Sequence, residues 1–116
     1  MKFSTGIDII EVERMEQAIK RWGKHFLEHV FCPEEIAYAE KQKFPPQHYA
    51  ARFAAKEAVL KALGNNKQVF WKDMKIVHDA NGKPICKYKD KKMNGKIHIS
   101  LSHTRKYAVA NAIITS

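Results

Sequence analysis

Several residues in this 116-residue chain are of types and spacings that could do chemistry. Asp8 sits inside the short β-branched run FSTGIDII (3–10). An acidic residue there costs stability unless it has a partner, such as a metal ion or a buried cation. A strand-edge aspartate facing water is the alternative. Glu57 and Lys61 stand four residues apart in RFAAKEAVLKALG (52–64). Read alone, that is an ordinary helical ion pair of about 0.2–0.5 kcal/mol. Lys56 falls in the middle of an apolar stripe of Tyr49, Phe53, Leu60 and Leu63, where a lysine reaches water by snorkelling. Near the C-terminus His103, Thr104, Arg105 and Lys106 crowd one turn. Imidazole, hydroxyl, guanidinium and ammonium groups are suitable donors to a phosphate. They also make up an ordinary polar hairpin tip.

The elements that must position these residues follow from periodicity. Residues 3–10 alternate and predict a strand, with Phe3, Ile7 and Ile9 on one face and Gly6 and Asp8 on the other. The glycine keeps the face of Asp8 open. Residues 11–22 and 24–31 predict helices separated by Gly23. Pro33, Glu34 and Glu35 predict a helix start, and Pro45-Pro46 a stop near Phe44. The strongest helical segment is 47–63, rich in alanine and closed by Gly64-Asn65. Its alanines 50 and 54 would let a backbone or ligand approach closely. Residues 74–89 predict two strands around the turn dipeptide Asn81-Gly82. Two more strands are expected at 96–102 and 107–114, joined by the turn from His103 to Lys106. The outline is a single α+β domain over 1–116 with most strands late in the chain.

Lys and Arg total 21 against 12 Asp and Glu, a formal charge of +9. Such a surface attracts polyanions at long range. It admits nucleic acid, anionic lipid, a phosphorylated cofactor or an acidic protein. A nucleic-acid module would use the charge with Trp22 and Trp71, but no nucleic-acid motif is present and Asp8 and Glu57 would stay unexplained. A non-catalytic nucleotide-binding oligomer is a second alternative. The six histidines have no zinc-motif spacing. No apolar run has membrane length, and the first ten residues read as a strand rather than a signal peptide. Cys32 and Cys86, without motif spacing, suggest reduced thiols in the cytoplasm. A chain this short has little interior to spare, so a bulky ligand would sit at the surface or between subunits.

Together these segments resemble one family. GIDIIEVERM (6–15) resembles the N-terminal motif of the holo-acyl-carrier-protein synthases, in the 4'-phosphopantetheinyl transferase superfamily. RFAAKEAVLKALG (52–64) resembles their central helix, NGKP (81–84) a turn before the penultimate strands, and ISLSHTRKYAVANAI (99–113) their C-terminal strand and turn. The motifs come in family order and cover nearly the whole chain. The run GNNKQVF (64–70) departs from the pattern, being poorer in glycine than usual.

The resemblance implies an antiparallel sheet packed with a long central helix. It implies transfer of the 4'-phosphopantetheine arm of coenzyme A to a serine of apo-acyl carrier protein, releasing 3',5'-ADP, in support of fatty acid biosynthesis. By motif, Asp8 and Glu57 would bind Mg²⁺, whose preferred ligands are hard oxygens. Lys61 would contact the pyrophosphate, and Arg52 and Lys56 would add positive charge. His103 and Thr104 would hold the 3'-phosphate from a neighbouring subunit, and Gly82 and Pro84 would lie near the adenine. Candidate bases for the serine proton are Glu57 and a water at the metal. Arg14 and Arg21, seven residues apart on one helix face, would receive the acidic carrier protein. The family further implies a cytoplasmic homotrimer, with no nucleic-acid partner and no membrane association.

Overall fold

The computed structural model describes residues 2–64 and 68–116. Three residues of the glycine-poor run, 65–67, lie outside the described residues, so how this loop approaches a ligand does too. The chain runs β1 (Phe3–Glu11), α1 (Val12–Val30), α2 (Pro33–Glu40), α3 (Pro45–Leu63), β2 (Met74–His78), β3 (Pro84–Tyr88), β4 (Ile97–His103) and β5 (Tyr107–Thr115). Single 3-10 turns occupy Trp71–Asp73 and Lys91–Met93. Strands β1, β5 and β4 form an antiparallel sheet in that order, and β2 and β3 pair separately. The expected α+β arrangement of antiparallel strands around a long central helix is therefore the observed one.

Helix α3 is the centre of the molecule. It packs against β1, β5, β4, α1 and α2. Its buried residues include Ala50, Ala51, Ala54, Ala55, Ala58 and Ala62, and these small side chains set the closest packing. The larger stripe is only partly sequestered: Tyr49 is buried, while Phe53, Leu60 and Leu63 are half-buried. Strand β1 crosses α3 so tightly that Gly6 is obligatory. A Cβ there would lie 2.0 Å from the Ala58 carbonyl oxygen and 2.9 Å from the Ala62 nitrogen. Gly6 faces Ala112 across the ladder and Asp8 faces Ala110. The side of β1 that carries Asp8 is thus the side toward α3. Phe3, Ile7 and Ile9 occupy the other side and are 63–65% exposed.

Gly23 interrupts α1 with φ 59°, ψ −137°, as its position between two helical segments predicts. The structure departs from expectation at the prolines. Helix α2 stops at Glu40, and Pro45 and Pro46 begin α3 instead of ending its predecessor. In the first turn a helix has no partner for the missing N–H, so proline fits there without loss. The β2–β3 connection also differs from a two-residue turn. It spans five residues, and only Gly82 has positive φ. The Asp79 carboxylate organises it, accepting the N–H groups of Asn81 and Lys83 at 2.8 and 2.9 Å.

Candidate active site

Strand β1 and helix α3 bring Asp8 and Glu57 into one groove of about 460 Å³. Arg14 from α1 lines the same groove, and Met15, Phe26 and Phe53 supply apolar wall. Lys61 reaches across to β1. Its Nζ donates to the Ile7 carbonyl at 2.8 Å and pairs with Asp8 Oδ1 at 3.2 Å. The expected helical pair between Glu57 and Lys61 is not among the ion pairs of the described residues. Lys61 has the stronger alternative of a carboxylate and a carbonyl on the neighbouring strand.

Burial pushes the Glu57 carboxyl above its usual range, and the like charge of Asp8 pushes it further. Trp71 and Lys61 act in the opposite sense. The Trp71 indole stands beside Glu57, yet its buried Nε1 makes no hydrogen bond of normal geometry. Two carboxylates that repel one another in a half-buried groove are suited to a shared cation. No group of three or more His, Cys, Asp or Glu gathers into a closed metal site among the described residues. A two-carboxylate site with room left over fits Mg²⁺, which keeps water and substrate phosphate oxygens in its shell.

Lys56 lies elsewhere and corrects two expectations at once. It neither snorkels nor faces a phosphate. Its side chain and that of Glu35 are both at 0% exposure, with Nζ 2.7 Å from Glu35 Oε1 and 2.8 Å from the Val30 carbonyl. Glu35 Oε1 also accepts the Cys32 N–H at 2.8 Å, and its Oε2 accepts the Ile76 N–H at 2.9 Å. The pair therefore ties α1, α2 and β2 to α3. Sequence reading took Glu35 only for a helix-start residue; the signal available was a buried lysine in need of a counter-charge.

A second cluster surrounds Arg52, which is 2% exposed. Its guanidinium lies over the Tyr38 ring at 4.1 Å and donates weakly to the His48 carbonyl at 3.4 Å. His103 packs edge-on to His48 with ring centroids 5.2 Å apart. Pro84, opposite His78 in the β2–β3 ladder, and Gly82 in the adjoining loop lie on the same hairpin. Thr104 shapes its turn by accepting the N–H groups of Lys106 and Tyr107 at 3.2 and 3.1 Å. Its own hydrogen reaches only the Tyr107 carbonyl, at 3.5 Å. Arg21 is exposed on α1, with its guanidinium 5.1 Å from the Trp22 ring.

The model of the 4'-phosphopantetheinyl transferase superfamily matches residues 4–112. The chain belongs to this superfamily. It is 43% identical over 122 residues to the holo-[acyl-carrier-protein] synthase of Protochlamydia amoebophila, covering 100% of both chains. Its fold is similar to that of the Helicobacter pylori holo-[acyl-carrier-protein] synthase in complex with coenzyme A. The TM-score is 0.83 at 30% identity, over 96% of this chain and 99% of that one. It is likewise similar to the Bacillus anthracis synthase in complex with CoA (3',5'-ADP). There the TM-score is 0.80 at 32% identity, over 96% and 94% of the two chains.

This chain gathers Asp8, Glu57 and Arg14 at one groove, with Lys61 paired to Asp8, and Arg52 and His103 with the β2–β3 hairpin in a second group. Lys56 stands apart from both as a structural ion pair. Sequence reasoning missed Phe53 and Met15 as groove walls, Trp71 as the neighbour of Glu57, and Tyr38, His48 and His78 around Arg52. Each depends on contacts between elements far apart in the chain.

Proposed function

We propose that this chain transfers the 4'-phosphopantetheine arm of coenzyme A to a serine of an apo-acyl carrier protein, with adenosine 3',5'-bisphosphate as the second product. The observation that carries the reading is the groove in which β1 and α3 set Asp8 beside Glu57 with Lys61 on the aspartate. Asp8 and Glu57 would hold Mg²⁺, which supplies charge neutralisation at the pyrophosphate and the leaving phosphate. Lys61 would swing from Asp8 to the pyrophosphate, since its side chain is 55% exposed and free to move. Arg14, at the groove's rim, would face the incoming acidic carrier, and Arg21 would extend that face.

The same reading makes the protein a homotrimer with shared sites. Its support is the outer side of β1, where Phe3, Ile7 and Ile9 are exposed apolar side chains on one face of a small protein. Asp8 and Glu57 would come from one chain, and His103 with Thr104 from the next. No described helix is long and apolar enough to cross a membrane. Cys32 and Cys86 are unpaired, which agrees with reducing conditions such as the cytoplasm.

The test is release of adenosine 3',5'-bisphosphate from coenzyme A in the presence of Mg²⁺. Release should equal the apo-carrier supplied and stop when it is exhausted. Release without carrier, or none with it, would overturn the reading. For the shared site, inactive Asp8→Asn and His103→Ala chains should recover activity when mixed. No recovery despite proven subunit exchange would place the whole site in one chain.

A further inference from the structure

Arg52 is a buried cation without an anion. It makes no ion pair among the described residues, and its Nε is buried with no hydrogen-bond partner. Tyr38 offers a ring face, which stabilises a guanidinium but does not neutralise it. The nearest influential carboxylate, Glu35, is held by Lys56. A charge removed from water in this way is costly until something compensates it.

Three imidazoles from three elements surround the same place: His48 on α3, His78 on β2 and His103 at the end of β4. The Tyr38 ring joins them, 5.9 Å from His48 and 4.8 Å from His78, and His48 is 5.2 Å from His103. Asp79 adjoins His78, but its Oδ1 already accepts two backbone N–H groups of the hairpin loop. Arg105 and Lys106 on the next turn line a separate groove with Glu11, Glu13 and Glu16. Burial holds His48 below the usual imidazole range, and His103, Arg52 and His78 lower it further. Burial and then Arg52 do the same at His78, with Asp79 opposing. The cluster is built of cations and suppressed cations.

We infer that His48 and His78 join Arg52 and His103 in a site for a phosphate monoester, and that binding there takes up protons. The inference rests on the proposed function, in which that ligand is the 3'-phosphate of coenzyme A. The sign follows from the charges. A dianion placed against Arg52 favours the imidazolium forms that the empty cluster disfavours. Binding must then draw protons from solution, and affinity must fall as pH rises through neutrality. The phosphate's own second ionisation, near pH ~6, works in the opposite direction. A falling affinity therefore belongs to the protein.

Titration calorimetry with adenosine 3',5'-bisphosphate, without divalent metal, in buffers of different ionisation enthalpy, reads both quantities. The expected result is net proton uptake near pH 7 and binding about tenfold or more weaker at pH 8 than at pH 6.5. His48→Gln/His78→Gln should bind more weakly at pH 6.5, approach wild type at pH 8 and lose most of the slope. His78→Gln alone, at an exposed position, should lose part of it and guards against misfolding of the double variant. Adenosine, which carries no phosphate, should show no such slope, and adenosine 3'-monophosphate should keep it. An unchanged slope in both variants, or a slope with adenosine equal to that of the bisphosphate, would overturn the inference. Tight but pH-independent binding would overturn it while leaving the proposed function in place. Absence of binding at every pH, both without and with Mg²⁺, would overturn both.

Discussion

Lys61 Nζ lies 3.2 Å from Asp8 Oδ1, across the β1–α3 boundary, and does not pair with Glu57 one turn earlier in its own helix. The lysine thus holds in place a strand carboxylate that faces the groove. On the proposed function a metal ion would give the aspartate a better partner, and the lysine would then be free to reach the phosphates. Asp8→Asn keeps the shape and removes the ligand charge. Transfer should fall roughly 100- to 1,000-fold, as when one preorganised electrostatic partner is lost. Thermal unfolding should change little. Activity equal to wild type at low Mg²⁺ would remove Asp8 from the site.

Lys56→Ala makes the opposite prediction, for stability. It strands the fully buried Glu35 carboxylate, and loss of one partner of a buried pair costs about 3–5 kcal/mol. Urea unfolding should show a loss of that order. Lys56→Met/Glu35→Leu should recover much of it, because the uncompensated charge is gone. A stable Lys56→Ala protein with only a raised KM for coenzyme A would return Lys56 to the cofactor.

These two lysines show what was legible in the sequence. Asp8, Glu57 and Lys61 stood out locally, as an acid in a strand and two residues one helical turn apart. Spacing alone left them a strand-edge aspartate and an ordinary ion pair, and only the family resemblance assigned them to a site. The break at Gly23 and the cap at Gly64 were legible because their signals are local. The partner of Lys56 was not, because Glu35 lies 21 residues away and meets it only through tertiary packing. The surroundings of Arg52 were hidden in the same way, since His48, His78 and His103 come from three elements. Pro45-Pro46 was ambiguous locally, as proline ends one helix and starts the next with equal ease.

Glu57 gives a pH prediction for the metal-free protein. Its folded pKa is raised, so its contribution to stability is present at acid pH and is lost as pH rises through the folded pKa. Glu57→Gln removes that loss. The variant should melt above wild type at pH 7 without divalent metal, and the difference should vanish once the pH falls below the ordinary carboxyl range. It should also be deficient in transfer. A lower melting temperature than wild type at pH 7 would contradict the burial and repulsion seen at this carboxyl.

Arg14 is exposed at the rim of the groove. Arg14→Glu should raise the KM for the carrier protein about tenfold or more and that for coenzyme A little, because a repulsive charge on a docking surface chiefly slows association. Added salt should weaken carrier binding to the wild type more than to the variant. Equal carrier affinity of the two proteins at low salt would place docking elsewhere.

Mass spectrometry of the carrier protein tests the central claim most directly. Apo-carrier incubated with the chain, coenzyme A and Mg²⁺ should gain the mass of one phosphopantetheine, on a single serine. The gain should be abolished by chelation of the metal and restored by its return. A carrier whose mass stays unchanged under these conditions, or is modified equally well by Asp8→Asn without metal, would contradict the account.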